Sequence, residues 1–277
     1  MGDGMRLGRR FFFLPLAALI GCGPPDYTPV RDWANVAGNA AIYPELVTRP
    51  GAAPTVLPAA DAINAMQQAL ASYLQALDTL AADGLLMIRE DPLAAFPPRV
   101  APISPKGAEA IQALGALLRE RGRSLARAPQ LRATIREADA SVQALIAAMQ
   151  EAITTLEPAE TAAAEQARAR YQRLLREARD EPSRQILRDL AALHEAAAAN
   201  RAAAIRNYQT VLADIAKGHA LLKERVAHLT QEETARQIRA AEAELRRASA
   251  RLPRRTLHPG HPCSTPWRHV SCLCECA

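Results

Sequence analysis

An all-α fold, an elongated antiparallel helical bundle or coiled-coil hairpin of long helices, is what this sequence predicts, and three observations carry it. Apolar residues recur at alternating steps of three and four through much of residues 58–252, the spacing of one stripe on a helix. The composition is 49% hydrophobic but only 4% aromatic, so the apolar content is mostly Ala and Leu, which build helices with thin seams rather than a bulky core. Proline and other turn residues gather at a few places that divide the chain into long helical pieces.

The N-terminus is read separately from that fold. Arg6, Arg9 and Arg10 form a positive region, Phe11 to Ile20 an apolar run, and small residues follow, which is the layout of a secretory signal over residues 1–21. The apolar run ends at Gly-Cys-Gly-Pro-Pro, short of the roughly 17 to 25 apolar residues a membrane-crossing helix needs. Leu19-Ile20-Gly21-Cys22 resembles the lipobox of bacterial lipoproteins. That resemblance covers about 22 residues and implies that Cys22 is lipidated and becomes the mature N-terminus. It implies an envelope location facing the periplasm, and Gly23 in place of Asp leans towards the outer membrane. An anchor of several acyl chains, each buried CH₂ worth about 0.8 kcal/mol, would hold the protein firmly.

Residues 22–57 are rich in Pro, Gly, Ala and Thr and read as a tether. Tyr27, Trp33 and Tyr43 stand out within it, in a chain with few aromatics. Trp33 is a candidate for partner contact or for a foot at a membrane interface, where amphipathic rings are favoured. The competing reading is a short helix near Arg31 to Ile42 that folds back on the long helices.

Ile63, Met66, Leu70, Tyr73, Leu77 and Leu80 place a first long helix from about Pro58 to Glu90, ended by Pro92, Pro97, Pro98 and Pro102. Ser104-Pro105 starts the next, as an N-cap followed by proline at the first helical position. Its stripe runs through Ile111, Leu114, Leu118 and Leu125, and resumes after an expected kink at Pro129 with Leu131, Ile135, Ala138, Val142, Leu145 and Met149. Glu157-Pro158 marks a boundary.

From Ala159 to Leu252 the only turn chemistry is Glu181-Pro182-Ser183, between stripes at Ile186, Leu190 and Leu193 and at Ile205, Tyr208, Leu212, Ile215, Leu222, Val226 and Leu229. If nearly continuous, about 90 residues would reach roughly 135 Å. Glu232 with Arg236 and Glu242 with Arg246 have i,i+4 spacing, as do Arg173 with Glu177, Arg176 with Asp180 and Asp180 with Arg184. The alanine-rich stretch 196–204 allows either a close neighbouring backbone or a weakly packed, bendable helix.

Catalytic and cofactor motifs are missing: there is no glycine-rich phosphate loop, no Gly-x-Ser-x-Gly and no His-Glu-x-x-His. The Glu-x-x-His pattern of di-iron bundles is also missing, since Ala191, Ala216 and Arg225 stand three before His194, His219 and His228. Glu224 and His228 read as a surface hydrogen bond one helical turn apart. No cofactor and no enzymatic activity are expected.

Arg119, Arg121, Arg123, Arg127, Arg132 and Arg136, set against Glu120 and Glu137, suit contact with phosphate or carboxylate groups of an envelope component, or form a solvated bend. Residues 253–277 abandon helical pattern and read as a disordered tail rich in Cys, His and Pro. No metal is assigned there. Cys263, Cys272, Cys274 and Cys276 are soft ligands, but Cys-x-Cys-x-Cys is not the zinc-knuckle spacing and an oxidising compartment favours disulfides.

Removing residues 1–21 takes three of 34 basic and one of 29 acidic residues, leaving a net +3, too mild to argue nucleic-acid binding. The expected function is a lipid-anchored, non-catalytic periplasmic scaffold or spacer contacting another envelope protein or anionic envelope component. The alternative is a periplasmic binding module, an inhibitor or chaperone-like lipoprotein, holding a partner segment in a groove between helices. The coiled-coil seams also permit homo-oligomers.

Overall fold

A computed structural model describes residues 25–46, 57–82, 86, 90–122 and 128–253. Among them the regular structure is entirely helical. Cys22, Arg123, Arg127 and the four tail cysteines lie outside the described residues, as does Leu125.

The first helix, α1 (Thr28–Ala41), starts where Asp26 Oδ1 accepts from the Thr28 amide at 2.9 Å and Pro29 presets the first turn. It belongs to the core and not to a tether. Val30, Trp33, Ala34, Ala37 and Ala41 are all fully buried against α2 (Leu57–Ala81), α7 (Glu181–Glu224) and α8 (Glu232–Ala250). Gln67 on α2 fastens the segment that follows α1, its carboxamide accepting from Tyr43 N and donating to Tyr43 O, both at 3.4 Å. Tyr208 on α7 donates to Ala41 O. The short-helix reading of this region is the one the structure supports. Trp33, being wholly buried, is withdrawn as a contact for partners or membrane.

The stripe Ile63 to Leu80 is buried along α2, which ends at Ala81 rather than reaching Glu90. After the short α3 (Pro97–Val100), α4 (Pro105–Arg121) begins as expected, with Ser104 Oγ accepting from Gly107 N at 3.1 Å. The expected kink at Pro129 is instead a reversal. α4 ends at Arg121, a new helix α5 (Ala128–Thr154) begins, and the two run antiparallel, with Arg121 beside Glu137 and Gly107 beside Ala148. Leu131, Ile135, Ala138, Val142, Leu145 and Met149 are all buried on α5.

Beyond α5 the nearly continuous helix drawn from the sequence is broken twice. α6 (Glu157–Glu177) stops at Ala178, and Asp180 caps α7 by accepting from the Ser183 amide at 2.8 Å while Pro182 occupies its first turn. A second break, with a single 3₁₀ turn at Val226–His228, separates α7 from α8. The second half of α7 is deep in the bundle. Ile205, Tyr208, Val211, Leu212, Ile215 and Leu222 are buried, and Gln143 and Gln150 of α5 donate to the Ala216 and Gln209 carbonyls.

The first half of α7 has a different fate. Neither α6 nor α7 before Ala204 contains a buried residue. These two stretches pack antiparallel on each other, tied by Arg168–Glu195 and Arg201–Glu160 at 3.0 Å each, and form a two-helix arm of about 30 Å.

Candidate interaction surface

Two places gather polar or apolar groups in a way the helices alone do not require: a sealed cluster in the bundle and the uncovered arm. The cluster joins three helices. Tyr73 on α2 is 2.7 Å from His219 Nε2 on α7, and His219 Nδ1 is 3.0 Å from Asp139 Oδ1 on α5. Lys223, one turn beyond His219, donates to Asp139 Oδ2 at 2.7 Å. An ionised carboxylate can only accept, so the proton sits on Nδ1, and Nε2 accepts the Tyr73 hydroxyl proton.

The hydrogen bond from His219, followed by those from Lys223 and Gln143, holds the Asp139 carboxyl far below the usual carboxylate range against the opposing effect of burial. Burial, with Asp139 nearby, pushes the Tyr73 phenol far up. Tyr73, His219 and Asp139 share the order of groups found in nucleophilic triads. Tyr73 and His219 are nevertheless wholly buried, so the geometry locks α2, α5 and α7 in register. Sequence reading passed over this cluster because Tyr73, Asp139 and His219 lie 66 or more residues apart, and each alone looks like an ordinary seam residue.

The arginine group is only partly assembled as a surface. Arg119 and Arg136 are exposed. Arg121 is largely covered and paired with Glu137, and Arg132 is half-buried. The Nε atoms of Arg121 and Arg132 are buried and have no hydrogen-bond partner. Glu224 and His228 do not meet as a helical pair, because α7 ends at Glu224. Glu224 faces Arg225 at 3.4 Å and His228 Nδ1 lies 3.1 Å from Gln231. Of the spaced charges, Glu242 and Arg246 pair at 2.7 Å, whereas Glu232 reaches Arg239 and Arg236 reaches Glu233.

The arm presents two distinct sides. Its inner seam is thin, with Ala164, Ala167 and Tyr171 of α6 facing Ala191, His194 and Ala198 of α7, and the Tyr171 and His194 rings 5.1 Å apart. Alanines fill little volume, and an open groove of about 920 Å³ remains along the side that carries Arg168 and Glu195. On the other side, one residue earlier at each step and so about 100° round the helix, run Ile186, Leu190 and Leu193. They are 60%, 41% and 67% exposed. Spacing marked these three correctly as a stripe but could not show that nothing among the described residues covers them.

Among the described residues no helix is long and apolar enough to cross a membrane, and no group of His, Cys, Asp or Glu is arranged to hold a metal. Compared with protein-family models, curated proteins and solved structures, the chain matches none.

Proposed function

We propose that the chain is a lipid-anchored, non-catalytic scaffold of the bacterial cell envelope, held through Cys22 and making its contacts through the α6–α7 arm. One observation carries the contact reading: a segment running from Glu157 to Ala203 has no buried side chain, yet keeps an apolar stripe that a purely solvated helix has no use for. In this reading the elongation expected of the bundle resides in the arm, and the bundle is its base. The exposed arginines near the α4–α5 reversal, Arg119 and Arg136, supply a secondary contact for anionic headgroups or an acidic envelope partner. The anchor rests on the lipobox resemblance at Leu19-Ile20-Gly21-Cys22.

Metabolic labelling with a tagged fatty acid tests the anchor. Wild type should carry label and sediment with membranes, and Cys22→Ala should lose both. Undiminished labelling of the variant would remove the lipoprotein reading.

The groove favours a second reading, a binding module that holds a partner's segment between α6 and α7. The two readings separate by side of the arm. Filling the groove with Ala164→Leu and Ala191→Leu should abolish contact if a partner lies between the helices, and should leave it intact if the stripe is the contact.

A further inference from the structure

We infer that the occupant of the Ile186–Leu190–Leu193 stripe is the same stripe on a second copy of this chain, the two arms lying antiparallel as a four-helix bundle. The inference rests on reading the arm as the contact element, but not on the lipid anchor or the envelope location.

Charge is the first argument. The tip of the arm, residues 168–191, carries seven arginines against four acids, namely Glu177, Asp180, Glu181 and Asp189. Its base, residues 157–167 and 192–203, carries four acids, Glu157, Glu160, Glu165 and Glu195, against Arg201 alone. One end is therefore net +3 and the other net −3. A parallel pair would set like ends together, whereas an antiparallel pair sets each positive tip on a negative base.

Position is the second argument. A two-fold interface must be self-complementary about its axis. The stripe, continued to Ala197 where it borders the groove, is centred near residues 191 and 192, and so is the arm's share of α7, residues 181–203. An axis there brings Leu190 of one copy against Leu193 of the other, and Ile186 against Ala197. Heptad spacing of 4, 3 and 4 is the seam an antiparallel helix pair requires.

Area is the third. Two helices side by side offer a face about 20 Å wide and about 30 Å long. That is about 600 Å², the lower end of the roughly 600 to 1,000 Å² per partner of a standard stable interface. Of the four large hydrophobics exposed among the described residues, three lie on this stripe and the fourth is Ile103. The described residues therefore leave apolar side chains uncovered where a second arm would cover them.

Sedimentation equilibrium of the full chain in density-matched detergent reads the association directly. Wild type should be dimeric at micromolar concentration and should loosen as salt is raised. The variant carrying Ile186→Asp and Leu193→Asp should dissociate at least about 30-fold more readily, because it would bury unpaired charge. Reversing the tip with Arg170→Glu and Arg173→Glu should weaken the dimer, and adding Glu157→Arg and Glu165→Arg to the same chain should restore it. Circular dichroism should be unchanged throughout, since none of these residues is buried.

A wild type that stays monomeric at high micromolar concentration overturns the inference, as does a dimer indifferent to the stripe variant. If that monomer still forms a Leu193-directed crosslink to a different protein, the arm remains the contact element and only the second copy is wrong. If neither association nor crosslink responds to the stripe, both readings fall.

Discussion

An added Cβ at Gly218 would lie 2.4 Å from Trp33 Nε1 and 2.5 Å from its Cζ2, so the indole of α1 reaches α7 only because this position has no side chain. Two effects of Gly218→Ala oppose each other. Helix propensity gains about 1 kcal/mol, while forcing a fully buried indole aside costs about 1 to 3 kcal/mol. A wholly buried ring has no room to give, so the clash should win and the urea midpoint should fall. The neighbouring His219 makes a second prediction. Tyr73→Phe removes the proton that Nε2 accepts and leaves a buried acceptor alone, which should cost about 1 to 3 kcal/mol in the same measurement.

Asp139 gives the cluster a pH dependence whose sign is fixed. Its carboxyl binds a proton less readily in the folded chain than in the unfolded one, so the stability it contributes is complete above the unfolded value near 4 and is lost as pH falls below it. Urea midpoints measured from pH 6 down to pH 3 should decline, and Asp139→Asn should flatten part of that decline while lowering the midpoint at neutral pH. An unaltered slope in the variant would show that other carboxylates govern acid unfolding.

At the scale of elements, the spacing rule located the buried seams of α2, α4, α5 and the second half of α7, including Ile63 to Leu80 and Leu131 to Met149, but not those of α1 and α8, where alanine fills much of the buried face. Steps of three and four identify a helix and its apolar face. They carry no information about what covers that face. Ile186, Leu190 and Leu193 have the same signature as Ile205, Tyr208 and Leu212 on the same helix, but among the described residues only the second set is buried. The alanine-rich stretch between them offers little apolar volume to bury.

Chain reversals were harder to read than seams. Pro129 looked like a kink in one helix, because nothing in the sequence shows that α4 and α5 fold back on each other. Asp180 was read as one member of i,i+4 charge pairs, whereas it is the cap that starts α7. If the exposed and buried stripes differ as described, Leu193→Gln should change thermal stability by no more than about 0.5 kcal/mol at concentrations too low for the chains to associate. Leu145→Asp should cost several kcal/mol by burying an unpaired charge. Equal losses from both would mean that Leu193 is covered within one chain.

For the whole molecule, the base and the arm are held by different means. The bundle is fixed by continuous apolar seams and the Tyr73–His219–Asp139–Lys223 cluster, while the arm has a thin alanine seam and ion pairs of which Arg168–Glu195 is largely exposed. Exposed pairs of that kind are worth about 0 to 1 kcal/mol each. The arm should therefore open locally before the bundle does, with amide hydrogens of residues 160–200 exchanging faster than those of 205–222 within the single helix α7 and its neighbour. Covering the stripe should slow that exchange.

The arm, and not the bundle surface, is the proposed place where this protein meets another molecule. A photo-crosslinking residue at position 193, introduced into the full chain in its native cell, tests it most directly, with position 75 on the exposed side of α2 as the comparison. A discrete adduct is expected from position 193, of twice the chain mass if the second copy is the partner, and none from position 75. No adduct from position 193, or the same adducts from both positions, would contradict it.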